Sequence, residues 1–532
     1  METNVHHPSE EAVSEKVLIS VSPSTGEVLG YTEEDSVEDL KSAVVAAKQA
    51  QKEWGKKSFS ERAEYLFRIR DFIAENTDEI ADIISKDTGK TRIDALSTEV
   101  LPVTMAITYY ARHAGKILKR TKLKPGNILT INKRSYIDRV PYGVVGIISP
   151  WNYPFSIPFH EIAMALISGN AVVLKVASST LEVGKIIKKA VDAAELPQSI
   201  FTLKNIPGSL AGDAFINSGI DKLFFTGSVA VGKKLMAKAS ERLLPLSLEL
   251  GGNDAMIVCK DADPVRAAGG ALWAGLSNSG QSCAGVERIY VEKGIYDEFM
   301  RLLKDKLNTL RQGPDTGFNV EIGSLTTKEQ LKTVKEHLKD AVEKGASVFI
   351  GPGVSGENTG MFHPPVILEN VNNSMLTMQE ETFGPILAVK KVNDIQEAIN
   401  EANDSNLGLS ASVWTKDKAK AHQIASCLEA GAVMINDHLM SHGLAETPWG
   451  GFKQSGLERT HGHLGLEGMT QPRVVIDDIL PGVKKNMWWY PHSEKVYAGL
   501  KGGIEFLYLK DFPKRVDGMI RLMKVFMRTF RN

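Results

Sequence analysis

From Gly143 onward the chain alternates short, continuously apolar runs with longer segments of helical spacing. Val144 to Ile148, Ala171 to Leu174, Leu223 to Phe225 and Leu246 to Leu248 carry almost no polar alternation. They predict strands covered on both faces and joined by crossover helices. A second stretch of the same kind begins at Ala255 to Val258 and continues through Ile289 to Val291 and Val433 to Asn436. Before these, two helical stretches follow a polar leader. The second opens with Ser58 and Glu61 at capping-box spacing and sets Leu66, Ile69 and Ile73 on one face. The pattern predicts an α/β protein with two open, mostly parallel sheets. Ligands of such sheets collect beyond the carboxyl ends of the strands, which puts Trp151, Asn152, Lys175, Thr226 to Ser228 and Glu249 on one rim.

At 532 residues, 43% of them hydrophobic, the chain exceeds what one core supports, so two or more domains are expected. A formal net charge of −1 gives no general attraction to nucleic acid. The balance is uneven, because residues 481–532 hold 11 Lys and Arg against 4 Asp and Glu. This tail opens with Trp488, Trp489 and Tyr490. It ends where Val516, Met519, Ile520, Met523, Phe526, Met527 and Phe530 recur at helical spacing, with Arg521, Lys524, Arg528 and Arg531 between them. Aromatic anchors, an apolar face and surplus cations predict peripheral contact with a membrane, and packing on another subunit is the alternative. Cys259, Cys283 and Cys427 form neither a disulfide framework nor a metal-ligand set, and no apolar run reaches the roughly 18 residues of a spanning helix. A cytoplasmic protein in a reducing compartment is expected, with membrane contact at most peripheral.

The chemistry concentrates in Gly280-Gln281-Ser282-Cys283, which stands 34 residues after Glu249-Leu250-Gly251-Gly252. Alone, Cys283 also reads as a buried small residue, and Glu249 as a charge surfacing at a strand end. Together they supply a thiol nucleophile and a carboxylate that takes a proton from water in a second, hydrolytic step. Asn152, ahead of Tyr153 and Pro154, reads as a turn residue or as an amide donor to a developing oxyanion. The turn Gly227-Ser228, with Gly232 following, offers a helix start of the kind that holds a pyrophosphate, without the usual dinucleotide fingerprint spacing.

With Asn152, Lys175, Thr226-Gly227-Ser228, Glu381-Thr382-Phe383-Gly384-Pro385 and Pro448-Trp449-Gly450-Gly451-Phe452-Lys453-Gln454-Ser455-Gly456 in this order, the sequence resembles the aldehyde dehydrogenase superfamily from about Val21 to about Ile476. The resemblance implies two Rossmann-like open-sheet domains, a small β bridging element that joins subunits, and a homodimer or homotetramer. The expected division is a leader at 1–17, a dinucleotide-binding domain at 18–122 and 142–251, and a thiol domain at 252–455. The bridging element takes 123–141 and 456–480, including strands at 129–139 and 474–476, and the added tail takes 481–532. Cys283, Glu249 and Asn152 look like the catalytic set. Ser149, Trp151, Lys175, Ser178, Gly208, Gly227, Ser228, Leu250, Glu381 and Phe383 look like the cofactor set, Ser228 toward the pyrophosphate, Lys175 and Glu381 toward the two riboses and Phe383 beside the nicotinamide.

Where NAD-preferring relatives often have glutamate, this chain has Ser178, which removes a charge that would repel a 2′-phosphate; the cofactor is expected to be NADP or NAD, with NADP favoured. Glu249 favours hydrolysis over a CoA-acylating reaction. Members acting on succinic semialdehyde often place an arginine eight residues after the asparagine, and here that residue is His160. A medium- or long-chain or aromatic aldehyde is therefore expected, with Phe155, Phe159 and Trp273 as candidate pocket residues. A succinic-semialdehyde-type enzyme and a CoA-acylating one are the alternatives within the superfamily. A cysteine hydrolase using His160, His438 or His442, or a non-catalytic structural relative, is the alternative outside it.

Overall fold

The structure is a computed structural model and describes residues 17–354 and 360–530. All but the last residue of the expected leader, and Arg531, lie outside this range; Val17 itself starts a short antiparallel hairpin of Val17–Val21 with Val28–Glu33. The chain divides into two compact units. One runs to Leu118 and resumes over Pro141–Gln471; the other comprises Lys119–Val140 and the residues from Pro472 on.

The larger unit contains both expected sheets. The first has six strands in the order Gly456–Leu457, Leu246–Glu249, Lys222–Thr226, Val144–Ile148, Ala171–Lys175, Phe201–Leu203, parallel except for the short 456–457 edge. Val144–Ile148 and Ala171–Lys175 are buried along their whole length, which is why they lack polar alternation. In register, Ile148 stands opposite both Lys175 and Phe225, and Thr226 stands opposite Glu249. The carboxyl ends therefore form one rim, as the apolar pattern implies.

The second sheet has seven strands, ordered Ser347–Ile350, Val366–Glu369, Ile386–Val392, Val286–Glu292, Asp254–Val258, Ser410–Trp414 and Ala432–Ile435. Only the first pair is antiparallel. The helix Phe59–Glu75 begins at the expected capping box. The Glu61 N–H donates to the Ser58 hydroxyl at 3.2 Å, the Ser58 N–H donates to the Glu61 carboxylate at 2.7 Å, and Leu66, Ile69 and Ile73 are buried. Phe155 and Phe159 are buried in the core of the first sheet, so of the three candidate pocket residues they pack and do not line a cavity.

In the smaller unit, Thr470–Asp478, Lys133–Pro141 and Thr121–Leu123 make a three-stranded sheet. The strand expected at 129–139 starts only at Lys133, because the Asn127 side chain accepts the Leu129 N–H at 2.9 Å and winds Ile128–Thr130 into a 3₁₀ turn. Residues 456–471, counted with the bridging element from the sequence, stay with the larger unit, where Gly456 and Leu457 pair with Glu249 and Leu248.

The tail folds as two helices, Glu494–Tyr508 and Phe512–Phe526, where the sequence suggested one. A Cβ at Gly502 would strike the Gly518 carbonyl and one at Gly499 would strike Val525, so glycine permits the close crossing. Leu522 and Val525 are buried, while every member of the stripe Val516, Met519, Ile520, Met523, Phe526, Met527 and Phe530 is at least 37% exposed. The apolar face read from the sequence points outward. Among the described residues no helix is long and apolar enough to cross a membrane.

Candidate active site

Cys283 follows a strained turn. The helix Pro264–Leu276 ends, and Asn278, Ser279 and Gly280 take positive φ values of 51°, 56° and 75°. Gly280 is required there, since a Cβ would run into the Gly384 carbonyl. Side chains hold the turn. Asn278 Nδ2 donates to the carbonyls of Asn152 and Gln281 at 2.9 and 3.1 Å, and Gln281 Oε1 accepts the Thr326 N–H at 2.9 Å. Positive φ in non-glycine residues, over-determined by hydrogen bonds, is the form that stored backbone strain takes at reactive sites.

A buried ion pair fixes the opposite wall. Lys90 Nζ lies 2.6 Å from Glu99 and donates to the Asn152 carbonyl at 2.7 Å. The other Glu99 oxygen accepts the N–H groups of Phe155 and Ser156 at 2.8 and 3.1 Å, at the start of the helix Ser156–Ile167. A buried pair persists only when its remaining lone pairs and protons are satisfied, and here helix N–H groups and a carbonyl do so. Asn152 Nδ2 donates to the Gln281 carbonyl at 3.1 Å, two residues before Cys283, which leaves the second N–H of that amide free to serve another acceptor.

Three cavities have Cys283 as a common wall. One, of about 240 Å³, is lined by Trp151, Asn152, Gly227, Ser228, Glu249, Leu250, Glu381 and Phe383 together with Cys283 and Gln330. It gathers all three expected catalytic residues and six of the cofactor set. A second, of about 150 Å³, is bounded by Leu101, Pro102, Met105, Tyr153, Ile157, Trp273, Leu439, Met440, His442 and Leu444, and among the described residues neither Lys nor Arg lines it. The third, of about 20 Å³, lies among Glu249, Glu161, His442, Thr460 and Cys283.

The other four of the cofactor set, Ser149, Lys175, Ser178 and Gly208, are not among the residues that line this cavity. Lys175 is buried and has no hydrogen-bond or carboxylate partner among the described residues; burial pulls its ammonium down to about 8. A Cβ at Gly208 would stand 3.9 Å from that ammonium. Ser228 caps the eleven-residue helix Val229–Ala239, accepting the Val231 N–H at 3.4 Å. Ser149 is buried with its hydroxyl unpartnered, and Ser178 is exposed on the loop beyond Lys175. Glu381 accepts the Gly252 N–H at 3.0 Å, and Phe383 meets Trp151 edge to face at 5.5 Å. An unpaired buried cation, a glycine leaving room beside it, a capped helix start and a carboxyl next to two rings form a donor set that fits a dinucleotide.

Burial dominates the electrostatics. It pushes the Cys283 thiol well up, and Glu381, Asp254 and Glu249 push it further, which favours the thiol over the thiolate. Burial also raises Glu249 well above the ordinary carboxyl range, with Glu161 adding to it and Arg459 opposing. His442 is pushed down to about 4 and is neutral near pH 7, and among the described residues no imidazole hydrogen-bonds the sulfur. That removes the geometry a cysteine hydrolase needs.

Glu161, His442, Lys90 and Gln330 were not singled out for these roles from the sequence. Glu161 and Lys90 reach the site across the fold with no motif to mark them.

In sequence and in fold the chain is similar to known aldehyde dehydrogenases. A family profile described as "Aldehyde dehydrogenase family" matches residues 10–475. The chain is 35% identical over 494 residues to a 4,4'-diapolycopene aldehyde oxidase of Methylomonas sp, covering 93% of this chain and 92% of that protein. It is 39% identical over 455 residues to a Mycobacterium ulcerans protein named as a candidate NADP(+) succinate-semialdehyde dehydrogenase, covering 85% and 86%. The solved NAD+ complex of an aldehyde dehydrogenase from Bacillus cereus superposes with a TM-score of 0.83 at 31% identity, covering 87% of this chain and 94% of that one.

Proposed function

Because the chain belongs to the aldehyde dehydrogenase family, we propose that it oxidises hydrophobic aldehydes to carboxylic acids with NADP or NAD, using Cys283 as nucleophile and Glu249 as hydrolytic base. When bound, the dinucleotide supplies the hydride acceptor and a cationic ring that favours the thiolate. Lys175, Ser228 and Glu381 would hold it, with Phe383 and Trp151 beside its reactive end. The Cys283 thiolate forms a C–S bond to the aldehyde carbon. The resulting oxyanion accepts from the free Asn152 N–H and the Cys283 backbone N–H. Loss of hydride leaves a thioester on the sulfur. Glu249 then takes a proton from water as the new C–O bond forms, and breaking the C–S bond frees the acid and returns the thiolate. Glu249 in the cavities at Cys283 supports hydrolysis over transfer to CoA.

The observation that carries the substrate reading is the 150 Å³ apolar cavity beside Cys283, which among the described residues has no Lys or Arg to pair a second carboxylate. His442, neutral near pH 7, does not replace one. The Methylomonas relative, named for an aldehyde on a hydrocarbon skeleton, supports the same reading and shares a longer stretch of this chain. The M. ulcerans relative favours succinic semialdehyde as the second reading. Reduced-cofactor formation across aliphatic, aromatic and carboxylated aldehydes, each with NADP and with NAD, tests both. Higher kcat/KM for long aliphatic than for carboxylated aldehydes is expected, and the reverse order replaces the first reading with the second.

The tail supports a peripheral membrane role. Tyr497, Ile504 and Tyr508 on its first helix are exposed, as are Phe512, Ile520 and Met523 on the second, alongside the surplus cations. Full-length protein is expected to sediment with anionic vesicles and a 1–480 truncation to remain in the supernatant. Val474 and Ile476, both exposed, support assembly into a homodimer or homotetramer, which light scattering would measure.

A further inference from the structure

The carboxyl of Glu161 has no part in the reaction described above, yet it is buried on the helix Ser156–Ile167 and faces the same 20 Å³ cavity as Glu249. One Glu161 oxygen accepts the Thr460 hydroxyl at 2.5 Å, and the other has no partner. One Glu249 oxygen is likewise unpartnered and buried. A volume of about 20 Å³ accommodates a single water, which needs two to four polar neighbours. Glu161, Glu249, Thr460 and Cys283 among its walls can supply them. Resting on the assignment of Glu249 as hydrolytic base, we infer that Glu161 is a positioning carboxyl that shares one water and one proton with Glu249 across this cavity, and thereby sets the pH at which Glu249 becomes a base.

The physical reason is like charge in a dry space. Two carboxylates around one water cannot both ionise readily, so they titrate as a pair, and the second proton leaves only at higher pH. The groups facing the pair decide where the first charge resides. Lys222, buried and 2.6 Å from Glu458, favours the ionised form of Glu161, as does the Thr460 hydroxyl. Arg459 favours the ionised form of Glu249. Tyr110 also feels the Glu161 charge, and His442, which lines the cavity, is neutral near pH 7. Burial brings Glu161 up to about 8 in this setting. Above that pH the first charge resides on Glu161 and holds the proton on Glu249, so hydrolysis of the acyl-enzyme should rise only at still higher pH.

Removing the Glu161 charge while keeping its shape should release Glu249 to ionise earlier. The test uses the full-length protein and p-nitrophenyl acetate, which acylates Cys283 without cofactor. Acyl-enzyme is counted by intact mass, and its breakdown is followed from pH 5.5 to 10. In Glu161→Gln the rising limb of breakdown is expected to move to lower pH by about one unit or more, the least that strongly coupled sites show. Glu161→Asp, which keeps an ionisable group, is expected to hold the limb near its wild-type position. A merely structural role would lower the rate at every pH without moving the limb. A limb that stays in place or moves upward in Glu161→Gln overturns the inference, as does a shift of about one unit or more in Glu161→Asp, which keeps the charge, if the Gln variant is too unstable to assay. Failure to acylate Cys283 in the wild type would instead remove the underlying assignment of the nucleophile.

Discussion

The two larger cavities that share Cys283 as a wall are built on different principles. The side bearing Ser228, Glu249 and Glu381 is made of strand ends, a helix start and backbone turns, with side chains whose chemistry is specific to one kind of ligand. The side bearing Leu101, Met105, Trp273 and Leu444 is made of apolar surface contributed by the helices Leu101–Ile117, Ser156–Ile167 and Pro264–Leu276 and by the segment around Leu444. On the first side a changed residue removes a particular charge or donor. On the second it changes area and shape. The polar side should therefore respond to mutation with large, all-or-none losses, and the apolar side with graded changes in preference.

The largest effect tests whether one sulfur serves both sides. Cys283→Ala is expected to lose oxidation and ester hydrolysis together, by about 10⁴-fold or more in kcat, as nucleophile removals do elsewhere. Glu249→Gln should keep a single burst of reduced cofactor, seen in stopped flow, and lose steady turnover.

Next comes the wall behind Asn152. Asn152→Ala should lower kcat by about 10²–10³-fold with little change in KM, the usual cost of one oxyanion donor. Lys90→Met leaves Glu99 buried without its cation and should destabilise the protein by about 3–5 kcal/mol in denaturant unfolding.

On the apolar side, Leu444→Arg is expected to lower kcat/KM for long aliphatic aldehydes by about tenfold and to raise it for carboxylated ones, the scale at which single pocket contacts discriminate. Equal losses for both classes would mean that this cavity does not receive the substrate.

The smallest effect belongs to Ser178→Glu. Its exposed position allows only a screened repulsion, so a several-fold shift in kcat/KM from NADP toward NAD is expected, on the order of 1 kcal/mol. A wild type with a strong preference for NAD would remove the role given to Ser178.

Legibility divides along the same line. Strands such as Val144–Ile148 and Ala171–Lys175 were readable because full burial on both faces writes itself as an unbroken apolar run. The Ser58 and Glu61 cap was readable because its partners are three residues apart. The residues of the polar cavity were readable because glycine turns and a cysteine beside a carboxylate are local features or family motifs. The apolar cavity was not. Trp273 was the one pocket candidate among its apolar walls, while Phe155 and Phe159, equally apolar in the sequence, went to the core. The tail shows the converse error. Its helical stripe was visible, but which face would be covered depended on a second helix and on glycines that admit it.

What the sequence determined by itself was the set of elements and the chemical identity of the groups at the strand ends, because both are carried by neighbours along the chain. Only the tertiary structure decided that Lys90 and Glu99 would brace Asn152, that Glu161 would share a cavity with Glu249, and that an apolar cavity with no Lys or Arg among its described walls would lie beside the same cysteine. Those contacts join residues on separate elements, and their strength comes from a dry environment that exists only once the elements have packed.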